Sequence, residues 1–80
     1  TYPQVLKNVR MASQIAPEHI PGFPEALEKA EQHLGSRGRI LVRPSGTEPV
    51  IRVMTEGEDE QEITTIANEL CEVIRKVDRG

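Results

Sequence analysis

At 80 residues the chain is sized for one small domain with one modest core, burying about 60–65% of the surface its unfolded form exposes. With 36% hydrophobic and 29% charged residues it reads as globular and soluble, and one Tyr, one Phe and no Trp leave the core to aliphatic side chains. A net charge of −3 speaks against general nucleic-acid binding, which shows as a basic excess.

The charge is unevenly placed. Residues 37–52 hold Arg37, Arg39, Arg43 and Arg52 against one acid, Glu48, whereas residues 56–62 hold Glu56, Glu58, Asp59, Glu60 and Glu62. A local positive field on an acidic domain suits a small anionic ligand better than a polyanion. Cys71 is the one cysteine, so no internal disulfide forms, and a reducing, cytoplasmic setting is expected. No apolar run nears the roughly 20 residues of a membrane span, and no signal-peptide pattern opens the chain. It begins at Thr1 without Met, which fits a piece of a longer protein.

In chain order, residues 5–11 read as a strand with Val5, Val9 and Met11 on one face, interrupted by Lys7. Periodicity then fails, and Pro17, Pro21 and Gly22 mark residues 12–22 as a connection with a short turn. Phe23, Ala26, Leu27, Ala30 and Leu34 recur at helical spacing, with Pro24 in the first turn and Gly35 just past the end. After a turn at 36–38, residues 39–43 and 50–55 read as two strands joined by a short hairpin loop. The last helix is predicted from about Asp59 to about Val77, with Asp59 as cap and Glu62 imitating a capping box. Its stripe of Ile63, Ile66, Ala67, Leu70, Ile74 and Val77 is apolar. The order strand, helix, strand, strand, helix predicts an α+β two-layer domain: a small, mostly antiparallel sheet with both helices on one face.

The loop between the second and third strands is Arg43-Pro44-Ser45-Gly46-Thr47-Glu48-Pro49, with Arg52 just beyond. A phosphate monoester needs convergent donors and positive charge. The candidates are the Arg43 and Arg52 guanidinium groups, the Ser45 and Thr47 hydroxyls, and the N–H groups of Ser45, Gly46, Thr47 and Glu48. Pro44 and Pro49 stiffen the loop, and Gly46 is expected to supply a positive φ and close backbone approach. Pairing the strands symmetrically sets Arg43 against Val50 and Leu41 against Arg52. Arg39, Leu41, Arg43, Val50, Arg52 and Met54 then share one face, and Ile40, Val42, Ile51 and Val53 share the other. Arg43 and Arg52 become diagonal neighbours, about 7–8 Å apart. Two cations that close need an anion or a carboxylate between them. The same string is also compatible with a plain polar hairpin in which Glu48 neutralises an arginine. Glu48 would repel a bound anion, so it is expected to point away and brace an arginine.

These residues resemble a known family. The run from Gly38 to Glu56, through Arg43-Pro44-Ser45-Gly46-Thr47-Glu48-Pro49 and Arg52, is similar to the phosphate-binding loop of the α-D-phosphohexomutases, most of all the bacterial phosphoglucosamine mutases. The opening Tyr2-Pro3-Gln4-Val5-Leu6-Lys7-Asn8-Val9-Arg10 resembles the start of their last domain. The resemblance implies the fourth, C-terminal domain of a larger mutase, residues 1–80, with a TATA-box-binding-protein-like two-layer fold. It implies conversion of glucosamine 6-phosphate to glucosamine 1-phosphate through a phosphoserine enzyme and a 1,6-bisphosphate, or the same role in a phosphoglucomutase or phosphomannomutase. Arg43, Ser45, Gly46, Thr47 and Arg52 would hold the non-reacting phosphate, supported by Pro44 and Glu48. The implied partners are a hexosamine phosphate and the other three domains, with no nucleic acid and no membrane. The implied cofactor is Mg²⁺, with its ligands outside this chain. No phosphoserine loop or Asp-rich metal motif is present in these residues, and His19, His33 and Cys71 have no metal-ligand spacing. The chain alone is therefore expected to position phosphate and not to catalyse.

Two other functions share this element order or composition. One is a regulatory small-ligand module, which would dimerise and bind away from the loop. The other is a nucleic-acid binder on the arginine-bearing face, disfavoured by the acidic total and the absence of aromatic stacking platforms. Cys71 reads as a packed thiol, His19 and His33 as surface residues, and 56–62 as a solvated helix start.

Overall fold

Three strands and two helices follow one another in the predicted order, in a computed structural model that describes residues 2–79, side chains of 78 and 79 excepted. They are β1 (Gln4–Arg10), α1 (Phe23–Leu34), β2 (Gly38–Pro44), β3 (Val50–Gly57) and α2 (Glu60–Arg79). Short 3₁₀ turns at Pro17–His19 and Gly35–Arg37 fill two of the connections. The sheet order is β1-β3-β2, and both pairings are antiparallel.

The period-2 pattern decides which face each strand buries. Val5 and Val9 of β1, Ile40 and Val42 of β2, and Ile51 and Val53 of β3 meet the helices, with Val53 fully buried at the centre. Against them α2 presents Ile63, Ile66, Leu70, Cys71 and Ile74, and α1 presents Phe23 and Leu34. Removing such side chains from water supplies the main stabilisation, about 1.5–3 kcal/mol for each fully buried large aliphatic or Phe. Thr55 shares that face and is fully buried; its hydroxyl donates to the carbonyl of Ile63 at 2.9 Å, tying β3 to the first turn of α2.

The helix ends follow the sequence signals with one change. Pro24 lies in the first turn of α1, and Gly35 ends that helix at φ 54°, a value that favours glycine. Asp59 caps α2, accepting from the N–H of Gln61 at 3.0 Å and of Glu62 at 3.3 Å. Glu62 does not complete a capping box. Its carboxylate is drawn to Arg37 at 2.8 Å and to His33 Nε2 at 2.9 Å, since a guanidinium and an imidazole together hold it more strongly than one backbone N–H.

Candidate phosphate-binding site

The predicted hairpin register is two residues out. Arg43 pairs with Arg52, Leu41 with Met54 and Pro44 with Ile51. The cause lies in the loop. β2 continues through Pro44, and the Ser45 N–H donates to the Val50 carbonyl at 2.8 Å, leaving only residues 46–49 to turn. The Val50 N–H donates to Glu48 O at 2.7 Å, a γ-turn centred on Pro49, whose ring fixes φ at about −65°. Neighbouring pairs alternate between hydrogen-bonded and not, so the missing N–H of Pro44 faces the outer edge of β2 and breaks no ladder bond.

A slip of two residues keeps every side chain on its predicted face. It changes the arginine geometry, however: Arg43 and Arg52 are direct cross-strand neighbours, not diagonal ones. Their Cα atoms are therefore about 5.5 Å apart, closer than the diagonal expectation. Two further expectations fail. Gly46 does not take a positive φ; among the described residues only Gly22 and Gly35 do, because neither hydrogen bond that closes this loop requires one. Space does not require glycine there either, since a Cβ on Gly46 would meet nothing within 4 Å. The Ser45 N–H is spent on Val50 and cannot serve a ligand.

Several of the predicted donors stay open. The N–H groups of Gly46, Thr47 and Glu48 have no backbone acceptor among the described residues, and neither Arg43 nor Arg52 has an ion pair there. The other arginines on this face are occupied: Arg39 Nε donates to Glu56 at 2.7 Å, and Arg10 Nη2 to Glu48 at 3.1 Å. Glu48 thus braces an arginine, one supplied by β1, but it does not point away as expected: it lines the recess beside Ser45 and Arg52, where the β1–β3 pairing brings Arg10 to meet it.

A recess of about 220 Å³ lies on the β1 side of the loop, lined by Asn8, Arg10, Ser45, Glu48, Val50 and Arg52. Gly46 and Thr47 form the exposed loop outside it, and Arg43 lies across β3 from Asn8 in the same row. Asn8 and Arg10 escaped the sequence argument, although parity carried the signal: with Val5 and Val9 buried, Asn8 and Arg10 must face the other way. A larger groove of about 680 Å³ runs between α1 and α2 over an apolar floor that includes Ala30, Ile66 and Leu70. It holds no arginine and lies on the helix layer, away from the loop.

No three His, Cys, Asp or Glu side chains converge among the described residues. None of the described helices is long and apolar enough to cross a membrane. Cys71 is buried, and burial pushes its thiol pKa up. His33 is exposed yet paired with Glu62, and Glu56 and Glu62 of the acidic stretch are half-buried in ion pairs, not merely solvated.

Known proteins share this chain's sequence and fold. The family described as "Phosphoglucomutase/phosphomannomutase, C-terminal domain" matches residues 6–73. Phosphoglucosamine mutase of Desulfotalea psychrophila is 64% identical over 77 residues, covering 96% of this chain and 17% of that protein. Phosphoglucosamine mutase of Acinetobacter baumannii is 54% identical over 74 residues, 92% of this chain and 17% of that protein. The chain thus spans about one sixth of the curated relatives it matches. Among solved structures, N-acetylphosphoglucosamine mutase of Aspergillus fumigatus superposes with TM-score 0.76 at 23% identity, over 96% of this chain and 16% of that one. The same fungal enzyme in complex with GlcNAc-6P and magnesium gives 0.73 at 22% identity, over the same shares. At that identity the likeness speaks for the fold alone. The sequence matches go further: the chain belongs to the phosphoglucomutase/phosphomannomutase family, as a C-terminal domain.

Proposed function

We propose that residues 1–80 form the phosphate-binding C-terminal domain of a larger phosphoglucosamine mutase, and that the 43–49 loop clamps the non-reacting phosphate of a hexosamine phosphate. One observation carries this reading: Arg43 and Arg52 face each other across β2 and β3 with no carboxylate partner among the described residues. Like charges that close are unfavourable, and a dianion between them removes the repulsion while accepting charge-assisted hydrogen bonds. The open N–H groups of Gly46, Thr47 and Glu48 and the hydroxyls of Ser45 and Thr47 supply further donors.

In the whole enzyme, such a clamp holds one phosphate of the sugar while the other is transferred. Positioning and charge stabilisation are most of what phosphoryl transfer asks of a protein. The interconversion of glucosamine 6-phosphate and glucosamine 1-phosphate is taken from the curated relatives' name and their 64% and 54% identity. Magnesium, present with one fungal neighbour, would be held by parts of the enzyme outside this chain. The remaining domains and the sugar phosphate are the partners of this domain, and a reducing cytoplasm suits its lone buried thiol.

The test is a titration of the 80-residue chain with glucosamine 6-phosphate followed by amide NMR. Binding in the millimolar range with the largest shifts at Gly46, Thr47 and Glu48 is expected for a single phosphate contact. Saturating ligand that moves only residues elsewhere, such as those lining the α1–α2 groove, overturns the reading.

A further inference from the structure

Glu48 is an anomaly in a site meant for an anion. It lines the same recess as Ser45 and Arg52, and an unneutralised carboxylate there would oppose any phosphate. The structure answers this with a residue from a different strand. Arg10, the last residue of β1, reaches Glu48 at 3.1 Å. It is carried there by the β1–β3 pairing, in which Arg10 faces Val50 and Asn8 faces Arg52.

The chain around Arg10 holds the loop at two more points. The Met11 N–H donates to Pro49 O at 2.7 Å, and the Gln14 side-chain amide donates to Ser45 O at 3.2 Å. Residues 10–14 thus touch the loop at 45, 48 and 49. As a stabilising contact the Arg10–Glu48 pair is weak: its side chains are 65% and 58% exposed, and such pairs contribute about 0–1 kcal/mol. What the pair does is set a positive charge against the one carboxylate that lines the recess beside Arg52.

We infer that Arg10 is a positioning residue for the phosphate clamp: it neutralises Glu48, the carboxylate that lines the recess beside Arg52, so that Arg43 and Arg52 stay free for the anion. This rests on the phosphate reading above. Arg10 acts through Glu48 and is not itself the anion's ligand. The two residues are therefore energetically coupled in binding, and removal of the carboxylate repairs loss of the guanidinium.

The experiment is a double-mutant cycle on the 80-residue chain, with glucosamine 6-phosphate as probe and NMR-derived Kd as readout. Arg10→Ala is expected to weaken binding about fivefold at low salt, the scale of one uncompensated charge near a partly exposed site. Arg10→Lys keeps most of the affinity. Glu48→Gln alone changes Kd by less than about twofold, since its charge is already cancelled. Glu48→Gln in the Arg10→Ala background restores most of the loss, a rescue no general loosening of the fold would give. A double variant as weak as Arg10→Ala overturns the inference by making Arg10 a direct ligand, and an Arg10→Ala variant that binds like the parent overturns it too. In either case parental binding, still weakened by Arg43→Ala, leaves the phosphate reading standing. A parental chain with no loop shifts removes both.

Discussion

At the end of the open sheet face away from the loop, Glu56 of β3 is held from both sides: Gln4 donates to it at 2.9 Å and Arg39 at 2.7 Å. At the loop end of the same face, Arg52 of β3 is flanked by Asn8 and Arg43 and has no carboxylate in contact among the described residues. Between them runs an apolar row, Leu6, Met54 and Leu41, with Leu6 63% exposed. Both ends place a charged β3 residue between one residue of β1 and one of β2. One row closes its charge within itself, and the other leaves two positive charges to be closed by something else. An arginine on a sheet face is thus no functional signal by itself; the carboxylate missing from its row is the signal.

The comparison breaks most forcefully at the far end. Gly38 and Gly57 form the last β2–β3 pair there, and a side chain on Gly38 would run into the Glu56 carbonyl and come within 2.9 Å of the Gly57 Cα. Both are backbone groups that cannot step aside. Gly38→Ala is expected to cost about 1–3 kcal/mol in chemical denaturation, the scale of overpacking. Its folded fraction should still bind hexose phosphate. If binding is lost at denaturant concentrations where the chain is still folded, the two ends are not independent.

The paired substitution Arg43→Ala and Arg39→Ala sharpens the contrast at intermediate scale. Arg43→Ala is expected to weaken glucosamine 6-phosphate binding about tenfold or more, as for a lost charge-assisted hydrogen bond, with an unchanged thermal midpoint. Arg39→Ala is expected to leave Kd within about twofold, because its charge is already answered by Glu56. Equal losses from the two would erase the distinction.

The smallest effect concerns pH. The hydrogen bond from Gln4, and after it that from Arg39, hold the Glu56 carboxyl below its ordinary value of 4.5. A carboxylate depressed in the folded state stabilises above its unfolded pKa, and that contribution fades as pH falls through the folded value. The thermal midpoint of the parent should therefore converge on that of Glu56→Gln as the solution is acidified below 4.5. A gap that stays constant in acid would mean that Gln4 and Arg39 do not hold the charged form.

Much of this arrangement was legible from residue order. Helical spacing gave α1 and α2, and strand parity gave both sheet faces, because a period of two is blind to a slip of two. That same blindness hid the register, which was decided by the Ser45–Val50 hydrogen bond and the γ-turn at Pro49. The position of β1 beside β3, and with it Asn8 and Arg10 at the site, depends on a pairing between distant residues that no local pattern encodes. Glu62 was misread for a related reason: a capping box is a local motif, whereas its partners Arg37 and His33 come from the end of α1 and the turn beyond it.

The placement of β3 in the middle of the sheet also orders events in time. The β2–β3 hairpin closes across a few residues, whereas β1 must find a partner far along the chain, Gln4 against Glu56 at a separation of 52. Local pairings form before distant ones, because the distant loop carries the larger entropy cost. Arg43 and Arg52 are therefore expected to come face to face in the early event, and Arg10 to reach Glu48 only when β1 docks. The hairpin alone sets the two arginines side by side; the neutralised carboxylate next to them is a property of the finished sheet.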